Sequence, residues 1–126
     1  MYKNTPNYIT VLPPQCIFVF GSNLAGRHGK GVALLAHRRF GAEYGVGEGL
    51  TGQCYAFPTL DGNLCQRSYA DLYNSMIKFY SCVRHHPSKV FLLTKVGTGL
   101  GGYTEEFMRQ LFADSTLPNL VKPEGW

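Results

Sequence analysis

The chain has 126 residues, the length of one ordinary domain, and is long enough to bury a core without metal or disulfide staples. An apolar fraction of 44% argues against a disordered chain, and no apolar run is long enough to span a membrane. The net charge of +4 steers weakly toward an anionic ligand. The basic groups (Arg38 and Arg39; Arg84, His85 and His86) make no stripe of the kind nucleic-acid binding needs.

The polar opening, residues 1–15, has no apolar segment of the signal-peptide type, which predicts a cytoplasmic protein. It is expected to hold a short strand at 8–12, ended by Pro13 and Pro14. Cys16, Ile17, Phe18, Val19 and Phe20 form a continuous apolar run stopped by Gly21, the pattern of a strand buried on both faces. A glycine-rich loop follows to Gly31, then a short helix at 32–40 closed by Gly41 and Gly45. A second glycine-rich stretch, 45–52, leads into a strand at 54–57 that Pro58 should close.

The next helix has the clearest periodicity: Tyr69, Leu72, Tyr73, Met76, Ile77, Tyr80 and Val83, with Ser68 as N-cap and Asp71 at the capping-box position. A strand at 90–96 and a glycine loop at 97–103 come next. A last helix is capped by Thr104, with Glu105 and Glu106 in its first turn. A short edge strand is expected at 119–121. Cys16, Cys54, Cys65 and Cys82 form no C-x-x-C pair, so free thiols are expected, with no metal and no cofactor.

Alternating strands and helices predict one α/β domain over residues 1–126, with a largely parallel sheet and helices on both faces. Ligands of such sheets sit beyond the carboxyl ends of the strands, where both best glycine loops emerge. Small residues let backbone N–H groups approach a phosphate, and a following helix N-terminus adds free donors and a positive dipole end. Two such loops side by side suit a pyrophosphate. Neither is a P-loop, because Gly31 follows Gly29 and Lys30. Neither is a dinucleotide fingerprint, because Gly26, Gly29 and Gly31 have the wrong spacing.

Phe18-Val19-Phe20-Gly21-Ser22-Asn23, followed by Gly29-Lys30-Gly31-Val32-Ala33 and a helix, resembles the start of the macro domain. Val96-Gly97-Thr98-Gly99-Leu100-Gly101-Gly102-Tyr103 resembles that family's second, phosphate-wrapping loop. The likeness covers about half the chain, in the same order on the same elements. A set of small phage and bacterial proteins of unassigned role looks closer still, in the run from Phe20 to Gly26, in Gly47-Glu48-Gly49-Leu50, and in Pro123 with Trp126.

The resemblance implies a three-layer α/β/α fold with a mixed central sheet, and ADP-ribose or a related nucleotide as ligand. It implies that Asn23 contacts the distal ribose, with Ser22 beside it. Gly29, Lys30, Gly31 and Val32 match the first phosphate loop; Gly97, Thr98, Gly99, Leu100, Gly101 and Gly102 match the second, with Tyr103 the aromatic after it. Three departures stand out. Ala33 falls where hydrolysing members carry an aspartate, Lys30 replaces a glycine, and Gln15 or Cys16 stands near the place of the aspartate that reads adenine.

Several residues have two readings. Asn23 is a turn residue or a ribose contact. His28 is a solvated loop histidine, a phosphate contact or an acid–base group. Glu48, between two glycines, is a surface charge or a general base. Lys95 faces out or meets the ligand, and Tyr103 is core or a lid. The expected function is therefore ADP-ribose binding with possible hydrolysis of ADP-ribosyl or terminal phosphate groups, through Asn23, His28 or Glu48. The alternatives are a non-catalytic module that binds a nucleotide signal or an ADP-ribosylated macromolecule, and a nucleic-acid-binding protein.

Overall fold

A computed structural model describes residues 2–114 and 116–126. Among these, the chain forms β1 (Cys16–Asn23), α1 (Gly31–Phe40), β2 (Gly49–Thr51), β3 (Cys54–Leu60), α2 (Tyr69–His85), β4 (Val90–Leu93), α3 (Glu105–Leu111) and β5 (Leu120–Val121). The strands make one sheet in the order β2-β3-β1-β4-β5. β1 runs parallel to both β3 and β4, β4 runs parallel to β5, and β2 is antiparallel to β3. The largely parallel α/β sheet is the one that the element order predicts; the antiparallel β2 lies inside the stretch 45–52 read from sequence as a loop.

Alternate residues of β1 feed two separate cores, because successive side chains of a strand point to opposite faces. Ile17 and Val19 join the larger one, with Tyr55 and Phe57 of β3, Leu72, Phe79 and Val83 of α2, and Met108 and Phe112 at α3. Phe18 and Phe20 join the smaller one, with Ala36 and Phe40 of α1, Ala42, Cys54 and Ala56. Burial pushes the Cys54 thiol up to about 12, so it behaves as a small apolar side chain.

The expected helices form, and both hydroxyl caps are in place: Ser68 accepts from the Asp71 N–H and Thr104 from the Phe107 N–H. Three strand expectations change. Residues 8–12 form no strand. Ile9 and Leu12 pack on the smaller core while Tyr8 and Val11 stay exposed, and Gln53 Nε2 donates to the Pro13 carbonyl at 2.6 Å. β3 runs through Pro58 to Leu60, because Pro58 lies beyond the last β2–β3 pair and its missing donor breaks no ladder bond. β4 ends at Leu93, not at residue 96, because the Thr94 hydroxyl donates to the Val19 carbonyl at 2.6 Å and the chain turns there.

The connections leaving β1 and β4 diverge. One returns through α1 to β3, on one side of β1; the other passes through α3 to β5, on the far side of β4. A crevice at the carboxyl ends of these neighbouring strands follows from the topology.

The glycine-rich stretch before β2 packs against the loop after β1. Gly45 N–H donates to the Gly26 carbonyl at 2.8 Å, and the Ser22 hydroxyl donates to the Gly47 carbonyl at 2.6 Å. A Cβ at Gly47 would run into the carbonyl oxygens of Asn23 and Leu24. Gly47→Ala is therefore expected to lose about 1–3 kcal/mol of stability in urea denaturation, as overpacked sites do. Gly62→Ala, which meets open space, should change it by less than about 0.5 kcal/mol.

Candidate functional site

A cleft of about 800 Å³ opens at the carboxyl ends of β1, β3 and β4. Ser22 and Asn23 form its floor with Thr59 and Thr94; Gly29, Lys30, Gly31 and Val32 form one wall; Gly97, Gly99, Leu100 and Gly101 form the other. The two glycine loops therefore face each other across one cavity.

Loop 24–30 is shaped from within by Asn23. Its Oδ1 accepts from the Arg27 N–H at 3.1 Å, and its Nδ2 donates to the Arg27 carbonyl at 2.9 Å. The chain then rises through Gly29 and Lys30 into α1. Lys30 is the N-cap residue but gives no side-chain cap, so the first N–H groups of α1 keep no side-chain acceptor beside the cleft. The second loop is tied by Thr98 Oγ1 donating to the Lys95 carbonyl at 2.8 Å and by the Tyr103 N–H donating to the Gly97 carbonyl at 2.9 Å.

The glycines of the cleft are of two kinds. A Cβ at Gly26 would collide with the backbone of Gly45 and Val46, and one at Gly101 would lie 2.7 Å from the Gly97 carbonyl oxygen. At Gly99 it would meet nothing, and at Gly29 only the Tyr44 hydroxyl at 3.7 Å, with no positive φ at either. The fold does not require glycine at those two positions, which leaves backbone open to the cleft.

Arg27, Lys30 and Lys95 line the cleft, and among the described lining residues there is no carboxylate, imidazole or thiol. Lys95 Nζ lies 3.4 Å from Glu105. Among the described residues Arg27 and Lys30 have no ion-pair partner, and Arg27 Nη2 donates to the Gly62 carbonyl at 2.6 Å.

Not every expected residue reaches the cleft. His28 is fully buried behind the first loop, against Phe20 and Tyr44. Its Nε2 lies 2.9 Å from the Glu43 carbonyl, the geometry of an Nε2–H donor, and its buried Nδ1 has no partner. Burial, helped by the nearby His37, holds its pKa below the ordinary value, against the opposing pull of the Glu43 carbonyl. An imidazole so placed packs under the loop and does not line the cleft. Glu48 is also outside the lining; it lies 3.8 Å from Lys78 Nζ of α2, with Oε2 buried and unpartnered.

Ser22 and Asn23 border the cleft, but their polar groups are turned onto Gly47 and Arg27. Thr98, Gly102 and Tyr103 fall outside the lining. The Tyr103 hydroxyl is 2.9 Å from the Thr59 carbonyl and accepts from the Arg67 N–H at 2.8 Å, tying the second loop to the end of β3. Burial raises its pKa, as suits a structural hydroxyl. The helix after the second loop does not serve the cleft either: Thr104 and two glutamates already occupy the N-terminus of α3, and the lining ends at Gly101.

Sequence reasoning missed Arg27, Tyr44, Leu60, Leu64 and Thr94, which also line the cleft. Arg27 carried a signal, a cation inside the glycine loop. Leu64 carried none, because it reaches the cleft only through a turn that long-range bonds fold back.

Among the described residues, no three His, Cys, Asp or Glu side chains converge as a metal site, and no helix is long and apolar enough to cross a membrane. No protein-family model, curated protein or solved structure matches this chain.

Two outcomes follow. Asn23→Ala removes both side-chain bonds to Arg27 and should lower stability by about 1–3 kcal/mol in denaturant titration. The lowered pKa of His28 means that the unfolded chain binds the proton more readily, so stability is full above about pH 6.5 and falls as pH drops toward the folded pKa. Thermal melts at about pH 7.5 and about pH 5.5 should show that loss, and His28→Gln should lessen it.

Proposed function

We propose that this protein binds a nucleotide-type anion, with ADP-ribose the ligand of reference, in the cleft between its two glycine loops, and does so without turnover. The observation that carries the reading is the make-up of the wall. Among the described residues, Arg27 and Lys30 stand there free of ion pairs, beside backbone left open at Gly29 and Gly99, with no carboxylate in the lining. Phosphate suits such a wall, because open N–H groups and cations both favour it. The volume lies in the range of small-molecule sites.

Hydrolysis needs a group to activate water. The two bases considered for that role, His28 and Glu48, stand outside the lining, and Ala33, which the resemblance to the macro domain matches to the aspartate of hydrolysing members, lines the cleft. Binding of a free nucleotide or of an ADP-ribosylated macromolecule is therefore favoured over catalysis. The macro-like, three-layer arrangement belongs to the same proposal. It is supported by α1 packing in one core and α2 and α3 in the other. A cytoplasmic setting also belongs to it, supported by four free cysteines.

Calorimetry with ADP-ribose, AMP and ribose 5-phosphate tests the reading. Binding of ADP-ribose in the micromolar range, on the order of 8 kcal/mol, is expected. Gly99→Glu should abolish it with the melting temperature retained, since a Cβ there meets nothing within 4 Å. Absence of heat with all three ligands overturns the reading; release of product from ADP-ribose or an ADP-ribosylated protein overturns the absence of turnover.

A further inference from the structure

The turn after β3, residues 61–66, is strapped across the cleft. On one side Arg27 Nη2 of the first loop donates to the Gly62 carbonyl at 2.6 Å; on the other Gln66 Nε2 donates to the Gly101 carbonyl of the second at 2.8 Å. Inside the turn Asp61 Oδ1 accepts from the N–H groups of Asn63 and Cys65, at 2.8 and 2.9 Å, and Leu60 bridges Gln66. These bonds hold Leu64 at φ 63°, the one positive φ among described non-glycine residues. A leucine is unfavourable there, and the position persists because the surrounding bonds over-determine it.

Leu64 is 56% exposed and lines the cleft. So do Leu100, 75% exposed, and Val32, 47% exposed. Three exposed aliphatic side chains thus border one cavity from three segments: the turn, the second loop and the start of α1. Several polar side chains of the lining are engaged within the protein, which leaves Tyr44 and the cations Arg27, Lys30 and Lys95 as its other polar groups. Asn23 is turned onto Arg27, Ser22 onto Gly47, the Thr94 hydroxyl onto Val19, and no carboxylate is present.

We infer that Leu64, Leu100 and Val32 form an apolar clamp that holds the heterocycle of a nucleotide by its faces and does not distinguish one base from another. The inference rests on the nucleotide reading of the cleft. Its chemistry is general: every base offers an apolar face, whereas discrimination needs donors and acceptors aimed at the base edge. The preferred ligands are nucleoside diphosphates and their sugar esters of any base, selected by phosphate and sugar.

The test is calorimetry of the whole protein with ADP, GDP, UDP and inorganic pyrophosphate, repeated on Leu64→Asn. Asparagine tolerates the left-handed backbone at position 64, so the turn is kept. The three nucleotides should bind the unaltered protein within about threefold of one another. The Leu64→Asn protein should bind them about tenfold more weakly, as expected for lost apolar contact, with pyrophosphate affinity unchanged. A preference above about tenfold for one base overturns the clamp and leaves the nucleotide reading standing. An equal loss for pyrophosphate also overturns it, since the side chains would then act on the anion site as a whole. Failure of all four ligands to bind the unaltered protein removes the clamp together with the reading beneath it.

Discussion

β1 is paired on both edges, with β3 and with β4, and buried on both faces by two separate cores. A strand in that position cannot shift register by one residue without sending Ile17 and Val19 into the core built for Phe18 and Phe20. Its carboxyl end is thereby fixed in space, and the floor of the cleft with it. The divergence of the chain after β1 and after β4 then opens the crevice between the two glycine loops.

The abundance of glycine serves two needs that composition cannot separate. At Gly26 and Gly47 two stretches of backbone lie so close that a methyl group would collide. At Gly29 and Gly99 no such demand exists, and the missing side chain leaves room in the cleft. The first pair holds the loop in shape and the second exposes its amides. A loop that binds an anion through backbone needs both, because amides that move freely lose the advantage of being preorganised.

Charge is divided in the same way. Cations line the cleft, while three acids are occupied elsewhere: Glu105 with Lys95 and Trp126, Glu48 with Lys78, and Asp61 with the backbone of its own turn. Trp126 and Lys95 hold the exposed Glu105 carboxyl below its ordinary pKa, so it stays ionised and masks part of the Lys95 charge. The net field at the cleft thus rests mainly on Arg27 and Lys30. His28, neutral and buried, supports the first loop without adding to that field.

The main strands and the helices were legible in the chain, because they depend on neighbours a few residues away; β2, inside a stretch read as a loop, was not. The apolar run of β1, the helical spacing of α2 and the hydroxyl caps Ser68 and Thr104 are local patterns with local causes. The presence of two glycine loops at strand ends was legible for the same reason. Which side chains those loops turn into the cleft was decided only by tertiary structure. Ser22 is turned away by Gly47, 25 residues on, and Arg27 is held by Gly62, 35 residues on. Leu64 is brought in by a turn whose far end is tied to Gly101. His28 looked like a loop histidine until α1 and the segment after it closed over the ring. Sequence determined where the backbone bends; packing between segments far apart in the chain decided which atoms face the cleft, since that direction depends on contacts no short window contains.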